Sequence, residues 1–300
     1  MSDFISRIAS APISWGICEV PGWGTMLPTK RVLSEMSALE LPATELGAPG
    51  FLPDDPVQLK DQLAEFNISL IGGFTPIVVH NKAERQTTLN HARKTAKHFQ
   101  VIGATYFISS PVATWDWAIP VALSNDEYRH MFEMFKIIDD ICGEYGLTQV
   151  MHPHLQTTVE TKTDMDRVLN GCDVKWCLDT GHMAIGGIDT VKFAREAADR
   201  VGHVHLKDVN MRMATPVLNR EKTIMQGVQN GLFTPLGQGD VPIAETIIAL
   251  EKAGYRGWYV IEQDTAITGA IPKDGEGPIS SIAESIAYLK KYVASALASA

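Results

Sequence analysis

The 300-residue chain has few cysteines, and no two of the four (Cys18, Cys142, Cys172 and Cys177) are spaced as C-x-x-C. That excludes a disulfide scaffold and a cysteine-built zinc site, and it predicts core-filling thiols in a reduced, cytoplasmic protein. The first residues lack the basic, apolar, small-residue order of a signal peptide, which supports the same expectation. No apolar run approaches the roughly 18 residues of a membrane span, so no membrane partner is expected. An excess of positive charge is missing too. Lys and Arg total 26 against 35 Asp and Glu, a formal net charge of −9, which disfavours a nucleic-acid partner. No Pro/Ser-rich linker divides residues 1–300, so they read as one domain. A Gly-rich phosphate turn after an early strand is also absent, which argues against a doubly wound open sheet.

What is present is an alternation of short β-type runs with longer amphipathic ones. Hydrophobic residues make up 45% and charged residues 20%, ordinary for a globular protein with a full core. Strands are expected at 7–13, 42–46, 68–74, 105–109, 148–152, 174–179, 202–206 and 258–262. Helices are expected at 29–39, 56–66, 82–102, 125–145, 163–169, 190–199, 242–253 and 279–297. Pro56 suits a first helical turn, Ser124 or Asn125 a cap, and Gly146 and Gly254 left-handed stops. Eight strand–helix units predict an α/β fold, a (β/α)8 TIM barrel, whose active site lies at the C-terminal ends of the strands.

Several of those ends stop at a metal-ligand type of residue. The segments read VMHPH (150–154), WCLDTGH (176–182), GHVHLKD (202–208) and WYVIEQD (258–264). Imidazoles and carboxylates converging at strand ends make a site for a divalent metal. Asp179 can ligate directly, or merely cap the next helix. Gly181 is expected to relieve a sharp turn that sends His182 back over the mouth. His203 and His205 alternate and so share a face. His205 is the expected ligand, and His203 satisfies a buried polar group. Glu262 is a costly lone carboxylate unless paired or coordinated. Lys207 is either a proton donor beside the metal or a solvated loop residue. The fourth ligand is open between His152 and Glu160, with Glu160 preferred. Glu45 ends the second strand and is a candidate substrate contact. Trp15, Trp23, Trp115 and Trp117, in loops after strands one and four, are candidate pocket walls.

At these residues the chain resembles the xylose isomerase-like TIM-barrel superfamily of sugar isomerases, epimerases and dehydratases. The carriers are D-T-G-H, H-V-H-L-K-D and V-I-E-Q-D. Three further segments resemble its inosose dehydratase branch: A-P-I-S-W-G-I-C-E-V-P-G-W-G (11–24), H-P-H-L-Q-T-T-V-E-T (152–161) and G-L-F-T-P-L-G-Q-G-D-V (231–241). Many superfamily members carry a glutamate at the end of strand five, where this chain has His152. The resemblance implies a divalent metal, Mn2+ or Co2+, with Mg2+ or Zn2+ as alternatives that the donor types do not separate.

It also implies dehydration of a keto-inositol, in inositol catabolism, through an enediolate. The base candidates are His152, His154 and Glu262, and the acid candidates Lys207 and His182. Returning the proton instead would make an epimerase or isomerase of a keto-sugar or inosose. A DNA phosphodiesterase on the same fold would want more ligands and a basic groove. A sugar-binding barrel without catalysis would need no metal. The expected partner is a small polyol ketone, and a homo-oligomer is left open.

Overall fold

A computed structural model describes residues 4–298. Eight parallel strands form its wall: β1 Ile8–Ser10, β2 Ala43–Glu45, β3 Ser69–Ile77, β4 Tyr106–Pro111, β5 Thr148–Met151, β6 Trp176–Asp179, β7 Val201–Leu206 and β8 Tyr259–Ile261. Each pairs with its neighbours in chain order, and β1 bonds both β2 and β8, which closes the expected (β/α)8 barrel. All eight expected strands are there, shifted by a few residues at their ends.

Period-two alternation sorts the wall. Phe107, Met151, Trp176, Leu178, Val204, Leu206, Tyr259 and Ile261 join the large core that packs the sheet against the outer helices. Smaller clusters, Ala9–Ala43–Ile71–Val260 and Ile108–Val150–Cys177, fill in behind them. His203 and His205 alternate with outward Val204 and Leu206, and Asp179 follows outward Leu178. The same rule that buries the aliphatic residues thus sends the polar ones inward.

The outer helices begin where local chemistry predicts. Ser124 and Glu127 form a reciprocal cap on helix Asn125–Glu144, and Thr161 with Asp164 does the same for Lys162–Gly171. Gly146 and Gly254 take φ of 70° and 93°, the stops foreseen for them. Among the described residues, no helix is long and apolar enough to cross a membrane.

Two features were not expected. A helix, Thr180–Ile185, starts directly at the end of β6. A long excursion leaves β7 and carries helices Met211–Leu218 and Ile224–Gln229 and a two-stranded ribbon, Asp208–Val209 against Phe233–Thr234. Its base is held by one carboxylate. Asp208 accepts backbone N–H groups from Val209 (2.9 Å), Gly237 (2.8 Å), Gly239 (3.0 Å) and Val241 (3.1 Å). A Cβ on Gly239 would lie 2.3 Å from Asp208 Oδ1, so only glycine admits that carboxylate. The excursion reaches Glu160 after β5 through Arg220, and the Gly22 and Trp23 carbonyls after β1 through Gln229. It therefore roofs part of the barrel mouth.

Candidate active site

Four side chains meet at the C-terminal end of β5–β8. His152, Asp179, His205 and Glu262 each offer a ligand atom, and the four atoms lie within 4.8 Å of one another. His205 Nδ1 is 2.8 Å from Glu262 Oε2 and 3.8 Å from Asp179 Oδ2, and His152 Nε2 is 3.3 Å from Asp179 Oδ2. His205 Nδ1 and Glu262 Oε2 are both buried and make no well-aligned hydrogen bond, although the Lys207 ammonium pairs with Glu262 Oε2 at 3.0 Å. Two donor atoms this close with no bond between them share a point at which their lone pairs converge. Burial alone would strip a proton from His205, yet Cys177, Glu262 and Glu45 raise its pKa well above that of a free histidine. The acidic groups around His205 favour positive charge at this spot. Orphaned donors and a demand for a cation fit a divalent metal.

Asp179 divides its two oxygens. Oδ1 accepts the His182 N–H at 2.7 Å and caps helix Thr180–Ile185, which leaves Oδ2 to the donor cluster. The capping role is realised, and it leaves the second oxygen open for ligation. Gly181 is not a turn relief, because it lies inside this helix. Its missing side chain makes room for Lys207, whose Cγ would be 2.8 Å from a Cβ there.

Lys207 is buried beside the cluster. Its Nζ lies 2.9 Å from Asp264 Oδ1, 3.0 Å from Glu262 Oε2, 3.3 Å from His182 Nε2 and 4.9 Å from the centre of the Phe233 ring. Burial opposes its charge, but Asp264, Glu262 and Asp179 raise its pKa well above that of a free lysine. The solvated-lysine alternative is therefore excluded. Burial lifts Asp264 to about 6 against the pull of Lys207. The ring nitrogens of His182 face two donors, Leu155 N–H at 3.4 Å and the Lys207 ammonium. Burial, then His154 and Lys207, hold its pKa well below normal, so it stays neutral.

His154 sits at the rim, its ring centre 4.0 Å from that of His182. Its Nδ1 donates to the Leu155 carbonyl at 2.6 Å, which fixes the tautomer with a lone pair on Nε2. Burial, with His152 and Lys207, drops its pKa to about 3. Beside it, Trp117 stacks on Phe74 with ring centres 6.0 Å apart and 16° between planes, and both contact the His154 ring. Phe74 and Trp117 are 39% and 38% exposed, an open aromatic platform at the mouth.

Several expectations need correction. Glu160 does not join the cluster. Its carboxylate is held by the two terminal Arg220 nitrogens and by the Gln156 N–H, so the fourth donor in the cluster is His152. Glu45 lies beneath the cluster, where its Oε1 accepts from His203 Nε2 at 2.9 Å and His205 Nε2 at 2.8 Å, so it is not a mouth residue. Trp15 is fully buried with its indole N–H on Glu35, and Trp23 bonds the Thr265 carbonyl. Trp115 turns outward to Glu84 and His91. Trp117 alone of the four tryptophans reaches the site histidines. Asp264 and Phe74 went unassigned in the sequence. Asp264 was legible as the residue two beyond Glu262, on the same side of an extended chain.

Residues 34–292 match the family described as xylose isomerase-like TIM barrel. The inosose dehydratase of Geobacillus kaustophilus (strain HTA426) is 30% identical over 275 residues, covering 87% of this chain and 89% of that one. The rhizopine catabolism protein MocC of Rhizobium meliloti is 29% identical over 271 residues, covering 86% and 81%. Among solved structures, L-ribulose 3-epimerase aligns with a TM-score of 0.71 at 14% identity, over 98% of this chain and 96% of that one. The IolI protein with a binding zinc atom aligns with a TM-score of 0.67 at 15% identity, over 95% and 99%. At such identities these two structures speak for the fold.

Proposed function

We propose, for a chain that belongs to the xylose isomerase-like TIM barrel family and within it groups with the inosose dehydratases, that it removes water from a keto-inositol. The observation that carries the reading is one donor cluster flanked by a fixed base and a fixed acid. His152, Asp179, His205 and Glu262 would hold a divalent ion, Mn2+ or Co2+. Bound there, it would polarise the substrate's ketone oxygen and stabilise the negative charge that develops on it.

The chain's own groups move the protons. His154, neutral and with its Nε2 lone pair free, accepts the proton α to the ketone. Lys207, kept charged by Asp264 and Glu262, gives a proton to the β-hydroxyl as its C–O bond breaks. Its raised pKa keeps that proton in place until a strongly basic leaving oxygen takes it. Water departs, the resulting enol becomes a dione, and solvent returns His154 and Lys207 to their starting states. His182 and Asp264 position the ammonium. The Phe74–Trp117 platform suits the C–H face of a ring polyol.

Incubation with scyllo-inosose and Mn2+, followed by NMR, tests the reading. The expected product is a dione. A product that keeps every substrate oxygen would overturn it in favour of an epimerase. That second reading draws on the fold shared with L-ribulose 3-epimerase and uses the same first proton transfer.

A further inference from the structure

Glu45 is a charged group in the barrel interior, 4% exposed, on a strand three places from β7 around the wall. The β2–β3 register shifts between Thr44 and Glu45, where β3 carries the extra residue Ile71, so Glu45 pairs with Gly72 at the point where β2 ends. The carboxylate spans the interior to His203 and His205 with a single oxygen. Among the described residues, its ion pairs are with these two imidazoles, and neither lysine nor arginine reaches it. An anion buried in this way is costly unless something provides a counter-charge. The nearest place for one is the far side of His205. Because His205 Nε2 donates to Glu45, its Nδ1 faces Glu262 and Asp179, and a divalent ion there would take the place of the Nδ1 proton that these acids otherwise favour. His203, packed against the Tyr106 ring at 4.5 Å, holds the same oxygen from the other side.

We infer that Glu45 is the positioning residue of the metal site: it fixes the orientation and tautomer of His205 and strengthens it as a ligand, with His203 locking the carboxylate in place. Carboxylate–histidine–metal chains of this kind change metal affinity by about 10- to 100-fold when broken. The inference rests on the metal reading above, and titration of the purified protein with Mn2+ alone, by calorimetry, separates the two.

Wild-type protein is expected to bind one equivalent. Glu45→Gln keeps the shape but loses the charge, and is expected to bind Mn2+ about 10- to 100-fold more weakly with an unchanged circular dichroism spectrum. At saturating Mn2+ its KM for scyllo-inosose is expected to stay within about twofold of wild type, because Glu45 acts through His205 and not on substrate. His203→Gln is expected to weaken Mn2+ by a smaller factor, up to about tenfold. Equal Mn2+ affinity in folded Glu45→Gln overturns the inference. So does a raised KM at unchanged affinity, which would make Glu45 a substrate contact. Should Glu45→Gln not fold, unchanged affinity in His203→Gln overturns it instead. A wild type that takes up no Mn2+ removes the metal reading and this inference with it.

Discussion

The two halves of the barrel contribute different things. From β5–β8 and the turns beyond them come His152, His154, Asp179, His182, His205, Lys207, Glu262 and Asp264, all within one connected set of contacts. From β1–β4 come Phe74 and Trp117 at the rim and Glu45 beneath the cluster. Inside, β1 and β2 offer alanines, Ala9 and Ala43, where β6 and β7 offer Cys177 and His203. In the proposed reaction, proton transfer and metal binding would fall to the second half, while the surface for a ring and the Glu45 support from below would come from the first. Substitutions in the second half should therefore act on metal and turnover, and those at the rim of the first half on substrate affinity, with Glu45 acting on the metal from below.

The largest effect is expected at Asp179. Asp179→Asn should lose Mn2+ and reduce kcat/KM by on the order of a thousandfold, read by calorimetry and initial rates. Full metal content with normal turnover would end the metal assignment. Next comes a contrast within H-P-H. His154→Gln should keep Mn2+ but lower kcat by about 10²- to 10⁴-fold, whereas His152→Gln should lose the metal. If both variants behaved alike, the division between ligand and base would be wrong. In the first half, Phe74→Ala or Trp117→Ala should raise KM by about tenfold with kcat nearly unchanged, the size of one lost aromatic contact. A fall in kcat alone would mean that the two halves are not separable.

A smaller effect concerns acid. His154 is held at about 3 against 6.5 for a free histidine, so between those values the folded chain binds fewer protons than the unfolded one. Its contribution to stability therefore falls as pH drops below about 6.5. In His154→Gln, the loss of melting temperature between about pH 6.5 and pH 4.5 should be a few degrees smaller than in wild type. Equal losses would mean that His154 already titrates normally. The smallest effect is expected at Glu160. Glu160→Gln should leave Mn2+ affinity within about twofold, because Arg220 already holds that carboxylate away from the donors. A large loss of affinity would restore Glu160 to the ligand set.

What the sequence revealed about the site was local to single strands. Asp179, His205 and Glu262 could be read as one cluster because parallel barrel strands bring their ends to one face, and alternation settles which side chains point in. What failed depended on distant partners. Nothing near Glu160 announces Arg220, sixty positions later, on an excursion whose helix Met211–Leu218 is masked in sequence by the internal Pro216. The tryptophans failed for a related reason. A loop residue can turn either way, and Glu35 and Glu84 decide it for Trp15 and Trp115. Asp264 was missed because the strand was taken to finish at Glu262, although the chain stays extended enough for the next alternate residue to reach Lys207.

The Asp208 clasp bears on how such a protein can be altered. One carboxylate gathers the departing Val209 and the returning Gly237, Gly239 and Val241, so the two ends of the excursion are pinned to each other before the rest of it begins. Of what lies between, Phe233 against Lys207 and Arg220 on Glu160 are tied to the barrel mouth, and the clasp leaves the remainder less constrained. The clasp makes the roof a cassette. A lineage, or a designer, that preserves Asp208, Gly239, Phe233 and Arg220 would have the rest of the cover to vary over the same donor cluster.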